Sequence, residues 1–317
     1  MPPSSPPAWD PQQYRRHSAH RLRPLYELLA RVPELPRSCR SSGSSGSSGY
    51  EGRPVPRIAD LGCGPGGPTL PLAERWPDAH ITGYDSSPEM LAEARAYARP
   101  PGAHGGESGE ESGADRASGP GGRSGERTGR LDFVQADLAG WRPDPSRPFD
   151  LLFSNAALQW VPEHTDRFPD WLDGLAPGGT LAFQVPGNFD APSHTLLHEL
   201  RNSPRWRARL GGPARSGSVL DPAGYAAVLT PLGCTVDAWE TTYLHLLQGE
   251  DPVLDWVKGT ALRPVLTLLA DDPEAREAFL AEYRDALREA YPAREFGVPF
   301  PFRRIFVVAV KEGDSDR

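Results

Sequence analysis

The chain has 317 residues, a net charge of −8 and 38% hydrophobic residues, with 36 prolines and 33 glycines. That length accommodates one large domain or two modest ones, and the acidic balance argues against binding nucleic acid or an anionic membrane through the overall field. The scattered cysteines, Cys39, Cys63 and Cys234, have neither metal-ligand spacing nor a disulfide framework, so no metal is expected and the expected compartment is a reducing cytoplasm.

Residues 1–37 read as an N-terminal arm and helix. Met1–Pro7 lacks the basic and apolar parts of a signal peptide, and no apolar run approaches the ~20 residues that span a membrane. Trp9–Tyr14, W-D-P-Q-Q-Y, precedes a helix predicted over Ser18–Val32, with Leu22, Leu25, Leu28 and Leu29 on one face. Trp9 and Tyr14 either pack the arm or form a lid over a ligand. Residues 38–50 read as a flexible linker, because Ser38–Gly49 is almost wholly Ser and Gly.

Residues 51–186 alternate strand and helix, the pattern of a parallel sheet with right-handed crossovers. Arg57–Gly62 is the first strand and Thr69–Trp76 the helix after it. Between them lies the glycine cluster of R-I-A-D-L-G-C-G-P-G-G, Arg57 to Gly67. Gly62, Gly64 and Gly66 let the backbone turn sharply and let a ligand approach the main chain. The spacing Gly62-x-Gly64-x-x-Gly67 also fits a dinucleotide site, and a glycine turn without a ligand is the plain alternative. Asp60 stands two residues before Gly62, where it can reach a cationic amino-acid moiety. Asp85 ends the next strand, His80–Asp85, where a carboxylate can hold ribose hydroxyls.

A helix is predicted over Pro88–Ala98, with Ser86 or Ser87 as cap and Met90 on its apolar stripe. Residues 100–130 hold no large aliphatic or aromatic side chain and read as a disordered insertion. Strands follow at Leu131–Ala136, Pro148–Asn155 and Thr180–Val185, with a helix at Phe168–Leu175. Residues 187–301 form a second region, with helices at Pro192–Leu200, Pro252–Leu262 and Pro273–Tyr291 and a long strand at Cys234–Leu247. Residues 302–317 hold a final strand, Phe302–Val310, and a tail.

D-L-G-C-G-P-G, followed by D-S-S-P after the second strand, resembles the class I S-adenosylmethionine (SAM) methyltransferases. The resemblance implies an α/β fold: a Rossmann-like seven-stranded sheet with helices on both faces, its seventh strand antiparallel, under a helical cap from the C-terminal half. It implies SAM as cofactor. Asp60 and the backbone of Gly62, Gly64 and Gly66 would face the methionine part, and Asp85 the ribose. Ser86 and Met90 would lie near ribose and adenine, Asp137 and Leu138 would meet the adenine, and Asn155 and Ala156 would line the sulfonium side. Asp137 and Ser86 also read as caps or turn formers, and Met90 as core.

A-A-L-Q-W, W-E-T-T-Y-L-H and V-K-G-T-A-L-R-P, with W-D-P-Q-Q-Y, carry a narrower resemblance to the bacterial trans-aconitate 2-methyltransferase family. It implies methyl transfer to a carboxylate of trans-aconitate by a monomer whose partner is a small tricarboxylate, without nucleic acid or membrane. Such an acid is anionic at neutral pH, so no catalytic base is expected. A cationic clamp is expected from Arg263, Arg303 and Arg304, with Tyr243, His245, His194, Gln159 and Trp160 beside it and Trp9 and Tyr14 from the arm. Alternation puts Arg303 and Arg304 on opposite faces of the last strand. Another small polycarboxylate or natural-product acceptor, or SAM binding without catalysis, would fit the same cofactor motifs.

Overall fold

The computed structural model describes residues 18–35, 55–98, 130–212 and 219–313. Trp9, Tyr14, the linker at 38–50 and residues 100–129 lie outside the described residues. In chain order the elements are α1 (Ser18–Arg31), β1 (Arg57–Leu61), α2 (Thr69–Arg75), β2 (His80–Asp85), α3 (Pro88–Tyr97), β3 (Leu131–Gln135), β4 (Phe149–Asn155), α4 (Phe168–Asp173) and β5 (Leu175–Pro186). Then come α5 (Pro192–Asn202), α6 (Arg207–Leu210), α7 (Pro222–Leu229), β6 (Cys234–Leu247), α8 (Pro252–Lys258), α9 (Arg263–Leu268), α10 (Pro273–Ala290) and β7 (Val298–Lys311).

The strands form one seven-stranded sheet in the order β3-β2-β1-β4-β5-β7-β6. β1 to β5 run parallel, while β7 is antiparallel to both β5 and β6. Helices cover both faces, so the central strands are near-continuous apolar runs rather than alternating ones. On one face α1 and α2 bury Leu25, Leu28 and Leu72 against Ile58, Phe153 and Phe306. On the other, α4 and α7 bury Trp171, Tyr225 and Leu229 against Leu61, Leu152, Phe183 and Val307. Fully burying each such side chain contributes roughly 1.5–3 kcal/mol, which fixes both layers against the sheet.

Several element ends differ from the sequence expectation. The helix after β4 stops at Asp173, because the Gly174 carbonyl accepts the Phe149 N–H at 2.9 Å and the chain enters β5 at Leu175. The helix predicted over Pro252–Leu262 ends early, with α8 at Lys258, and a turn closed by Leu262 N–H to the Val257 carbonyl, 3.0 Å, leads into α9, for which no helix was expected. α7 had no counterpart in the sequence reading. β7 begins four residues early, through Pro299 and Pro301. The N–H of Arg303 donates to Asn188 Oδ1 at 2.8 Å, on the side away from β6. Pro299 and Pro301 share that parity, so their missing N–H groups fall on an edge that β5 no longer reaches.

That early start matters for the site. β5 ends at Pro186, opposite Arg304, so the β6–β7 pair projects beyond the carboxyl edge of the parallel strands. One of its faces carries Leu247, Phe300 and Phe302, which bury against α5, α6, α8, α9 and α10 in a separate apolar cluster. The cap is therefore built on a strand extension, directly over the end of the sheet where open α/β folds bind ligands.

Candidate functional site

The turn after β1 is held in shape by its neighbours. The N–H groups of Gly62 and Cys63 donate to the Tyr84 carbonyl at 2.8 and 3.0 Å, locking the turn to β2. Gly62 has φ 77°, and a Cβ there would lie 2.2 Å from the Ala157 Cβ. The loop after β4 thus packs directly against the glycine turn. Gly64 has φ 55°, yet a Cβ on it would meet nothing within 4 Å, so its outer side is open. Asp85 accepts the Gly64 N–H on Oδ2 and the Ser87 N–H on Oδ1, both at 2.9 Å. A carboxylate has about four acceptor positions, so two such bonds orient it without exhausting it. Burial raises its pKa against the pull of those backbone donors.

Asp60 is wholly buried, and its Oδ2 accepts the Thr69 hydroxyl at 2.7 Å. Its Oδ1 is buried and has no hydrogen-bond partner among the described residues. Desolvation pushes the pKa up to about 7, opposed by the Thr69 hydrogen bond, with Asp85 adding repulsion. Ser87 caps α3 by accepting the Met90 N–H at 3.2 Å; Ser86 is exposed and Met90 is buried. After β3, Asp137 Oδ1 accepts the Ala139 N–H at 3.0 Å in a turn, and Leu138 packs into the core. Asn155 ends β4, and Ala156 follows with φ 57°, a strained conformation for a residue with a side chain. These residues stand at the carboxyl ends of four adjacent strands.

On the acceptor side, alternation separates the two arginines as expected. Arg303 lies on the outer face of the β6–β7 pair, its guanidinium donating to Glu240 from Nε at 2.9 Å and Nη2 at 2.5 Å. It lines a cleft of about 550 Å³ with Asn188, Thr242, Tyr291 and Arg294. Arg304 is buried on the α1 face, lies over the Phe302 ring at 4.8 Å and donates from Nη1 to Gln184 Oε1 at 2.9 Å. Tyr243, also buried there, donates its hydroxyl to Glu27 of α1. His245 stacks on Tyr243 and lies 4.9 Å from the Trp256 ring. Trp256 belongs to the cap cluster that includes Leu262 and Val265, on either side of Arg263. Arg263 is half-buried at the first position of α9. His194, on α5, meets the Ser193 hydroxyl at 3.1 Å and the edge of Phe189, and burial pushes its pKa down to about 4. Gln159 donates to the Ala156 carbonyl at 2.6 Å; its buried Oε1 finds no partner among the described residues, and Trp160 beside it is half-buried.

A methyltransferase-domain family model matches residues 59–183, the stretch from β1 into β5. The chain is 57% identical over 311 residues to the trans-aconitate 2-methyltransferase of Streptomyces avermitilis, covering 98% of this chain and 99% of that one. It is 56% identical to the Streptomyces coelicolor protein of the same name, covering 99% and 90%. This chain belongs to the trans-aconitate 2-methyltransferase family. Its likeness extends to the Mycobacterium tuberculosis protein of that name, at 43% identity over 95% of this chain and 96% of that one.

The residues present in this family member fit a SAM-like ligand. The orphaned Asp60 Oδ1 is an acceptor in need of a donor, the side of Gly64 is clear of side chains, and Asp85 is pre-oriented with acceptor capacity to spare. Sequence reasoning missed Gln184 and Glu27. The signal for Gln184 was present: it is the lone polar residue between Leu181 and Val185, inside a strand buried on both faces. Glu27 gave none, since its partner Tyr243 is 216 residues away.

Proposed function

We propose that this chain transfers the methyl group of SAM to a carboxylate of trans-aconitate, giving a monomethyl ester and S-adenosylhomocysteine. When bound, SAM supplies an activated methyl carbon: the carboxylate oxygen forms the new O–C bond, and the S–C electron pair stays on sulfur. No proton moves, so the work of the chain is binding, alignment and exclusion of water. Asp60 and the glycine turn would hold the amino-acid end and Asp85 the ribose. Ser86, Met90, Asp137 and Leu138 would surround the nucleoside, with Asn155 and Ala156 near the sulfonium. Arg263 from the cap, with Arg304, Tyr243, His245 and Gln159 below it, would receive the acid.

The observation that carries this reading is the 57% identity across 98% of the chain to a protein named for that reaction. We place the reaction in the cytoplasm, in a monomer that acts on a small tricarboxylate and not on nucleic acid or at a membrane. The buried free thiols Cys63 and Cys234 suit a reducing compartment, and no helix among the described residues is long and apolar enough to cross a membrane.

The test is incubation of the purified protein with methyl-labelled SAM and trans-aconitate, followed by identification of the ester. Label in the monomethyl ester supports the reading, and SAM binding without ester from trans-aconitate removes it. Arg263→Ala should raise KM for the acid strongly while leaving S-adenosylhomocysteine affinity nearly unchanged. Loss of a desolvated charge pair costs about 2–5 kcal/mol. An equal loss of cofactor affinity would refute the clamp role.

A further inference from the structure

Asn155, Gln184 and Arg304 form a buried polar row across three adjacent strands, β4, β5 and β7, on the face covered by α1. Their relative exposures are 7%, 0% and 4%. Arg304 Nη1 donates to Gln184 Oε1 at 2.9 Å, and Gln184 Nε2 donates to Asn155 Oδ1 at 2.7 Å. Asn155 and Gln184 are direct partners in the parallel β4–β5 register. The Gln184 carbonyl also accepts the Ala156 N–H at 2.9 Å, at the residue where the chain turns sharply out of the sheet.

The polarity of this row is determined by one end. An arginine side chain has donors and no acceptor, so the Gln184 atom facing it is the carbonyl oxygen. The Gln184 NH2 then faces Asn155, and the Asn155 atom it meets is in turn the carbonyl oxygen. Asn155 is left with its NH2 as the group not engaged in the row. Were Gln184 apolar, the Asn155 amide could present either end.

We propose that Gln184 is a positioning residue that holds the Asn155 amide so that its NH2, a donor, faces a carboxylate oxygen of the acceptor acid. This rests on the reading of the site as a carboxyl methyltransferase. An amide turned the other way would set a carbonyl oxygen against an anion. Gln184 thereby converts the fixed charge of a core arginine into selectivity for an acceptor that has lone pairs to offer.

The variant Gln184→Glu keeps the side-chain length and an acceptor for Arg304, but removes the donor. Asn155 then turns its NH2 toward the new carboxylate and presents Oδ1 to the acid. KM for trans-aconitate is expected to rise about tenfold or more, with kcat changing less and the Kd of S-adenosylhomocysteine moving by no more than about twofold. In an Asn155→Ala background the same substitution should add almost nothing, because its effect passes through Asn155. An unchanged KM in the folded variant, or full additivity with Asn155→Ala, overturns the proposal. Should Gln184→Glu not fold, Gln184→Met serves: it frees the amide to turn, and a wild-type KM in that variant is equally fatal. A wild-type protein that binds S-adenosylhomocysteine but does not esterify trans-aconitate defeats the parent reading and this one together. An active wild type with an unresponsive variant removes this one alone.

Discussion

Asp60 shows how much a single side chain can carry at this site. It is an acid without a paired cation among the described residues, buried so deeply that its pKa rises to about 7. If its free Oδ1 receives the ammonium group of the cofactor, the bound state favours the ionised carboxylate. S-adenosylhomocysteine affinity should therefore strengthen as pH rises from about 5 to 7, by up to about tenfold per pH unit, and level off above. Calorimetric titrations at pH 5.5, 6.5 and 7.5 check this, and Asp60→Asn should flatten the profile. Asp85 makes a complementary point. Its place at the end of an apolar run was visible in the sequence, and its donor Ser87 is only two residues on, but the Gly64 N–H reaches the same carboxylate only because the fold sets the glycine turn beside the end of β2.

At the scale of elements, the β6–β7 pair joins two bodies. Its inner half is sheet, paired to β5; its outer half is the floor of the cap. Phe300 is 1% exposed, with the rings of Tyr291 at 5.3 Å and Trp256 at 5.7 Å. Phe300→Ala should cost about 3–5 kcal/mol of packing, concentrated in the cap. Hydrogen exchange is the measurement: amides of α8 to α10 should lose protection well before those of β1 to β4. Uniform loss across the sheet would mean that cap and core open as one unit. The sequence showed a long strand at Cys234–Leu247 by its composition, whereas Pro299 and Pro301 hid the start of its partner. Proline counts against a strand until one knows which edge its nitrogen faces.

Over the whole molecule, buried titratable groups pull stability in opposite directions with pH. His164 is 2% exposed, its Nε2 2.9 Å from the Tyr225 hydroxyl and its Nδ1 without a hydrogen-bond partner among the described residues. Desolvation pushes its pKa down to about 4. Between about pH 6.5 and 4 the unfolded chain takes a proton that the folded chain refuses, so stability falls as pH drops through that window. A shift of this size corresponds to roughly 3 kcal/mol. His194 acts in the same sense. Asp60 opposes both, because it holds its proton up to about 7 while an unfolded carboxylate loses it near 4. Thermal unfolding of His164→Phe should show a smaller loss of Tm from pH 6.5 to 4.5 than wild type. An identical slope would mean that His164 is not the group that resists charging.

Chain-local chemistry was enough for the glycine turn, for most of the strands and helices of the parallel core, and for the order in which acids and glycines arrive at one edge. Each of those depends on residues a few positions apart, or on the handedness of a single crossover. What the two arginines of the last strand touch was decided at long range. Arg304 meets Gln184, 120 residues earlier in the chain, because β7 inserts between β5 and β6, and Arg303 meets Glu240 because the other edge of β7 pairs with β6. No local pattern encodes that insertion: it rests on β7 pairing with β5 on one side and β6 on the other, strands that lie far from it in the chain.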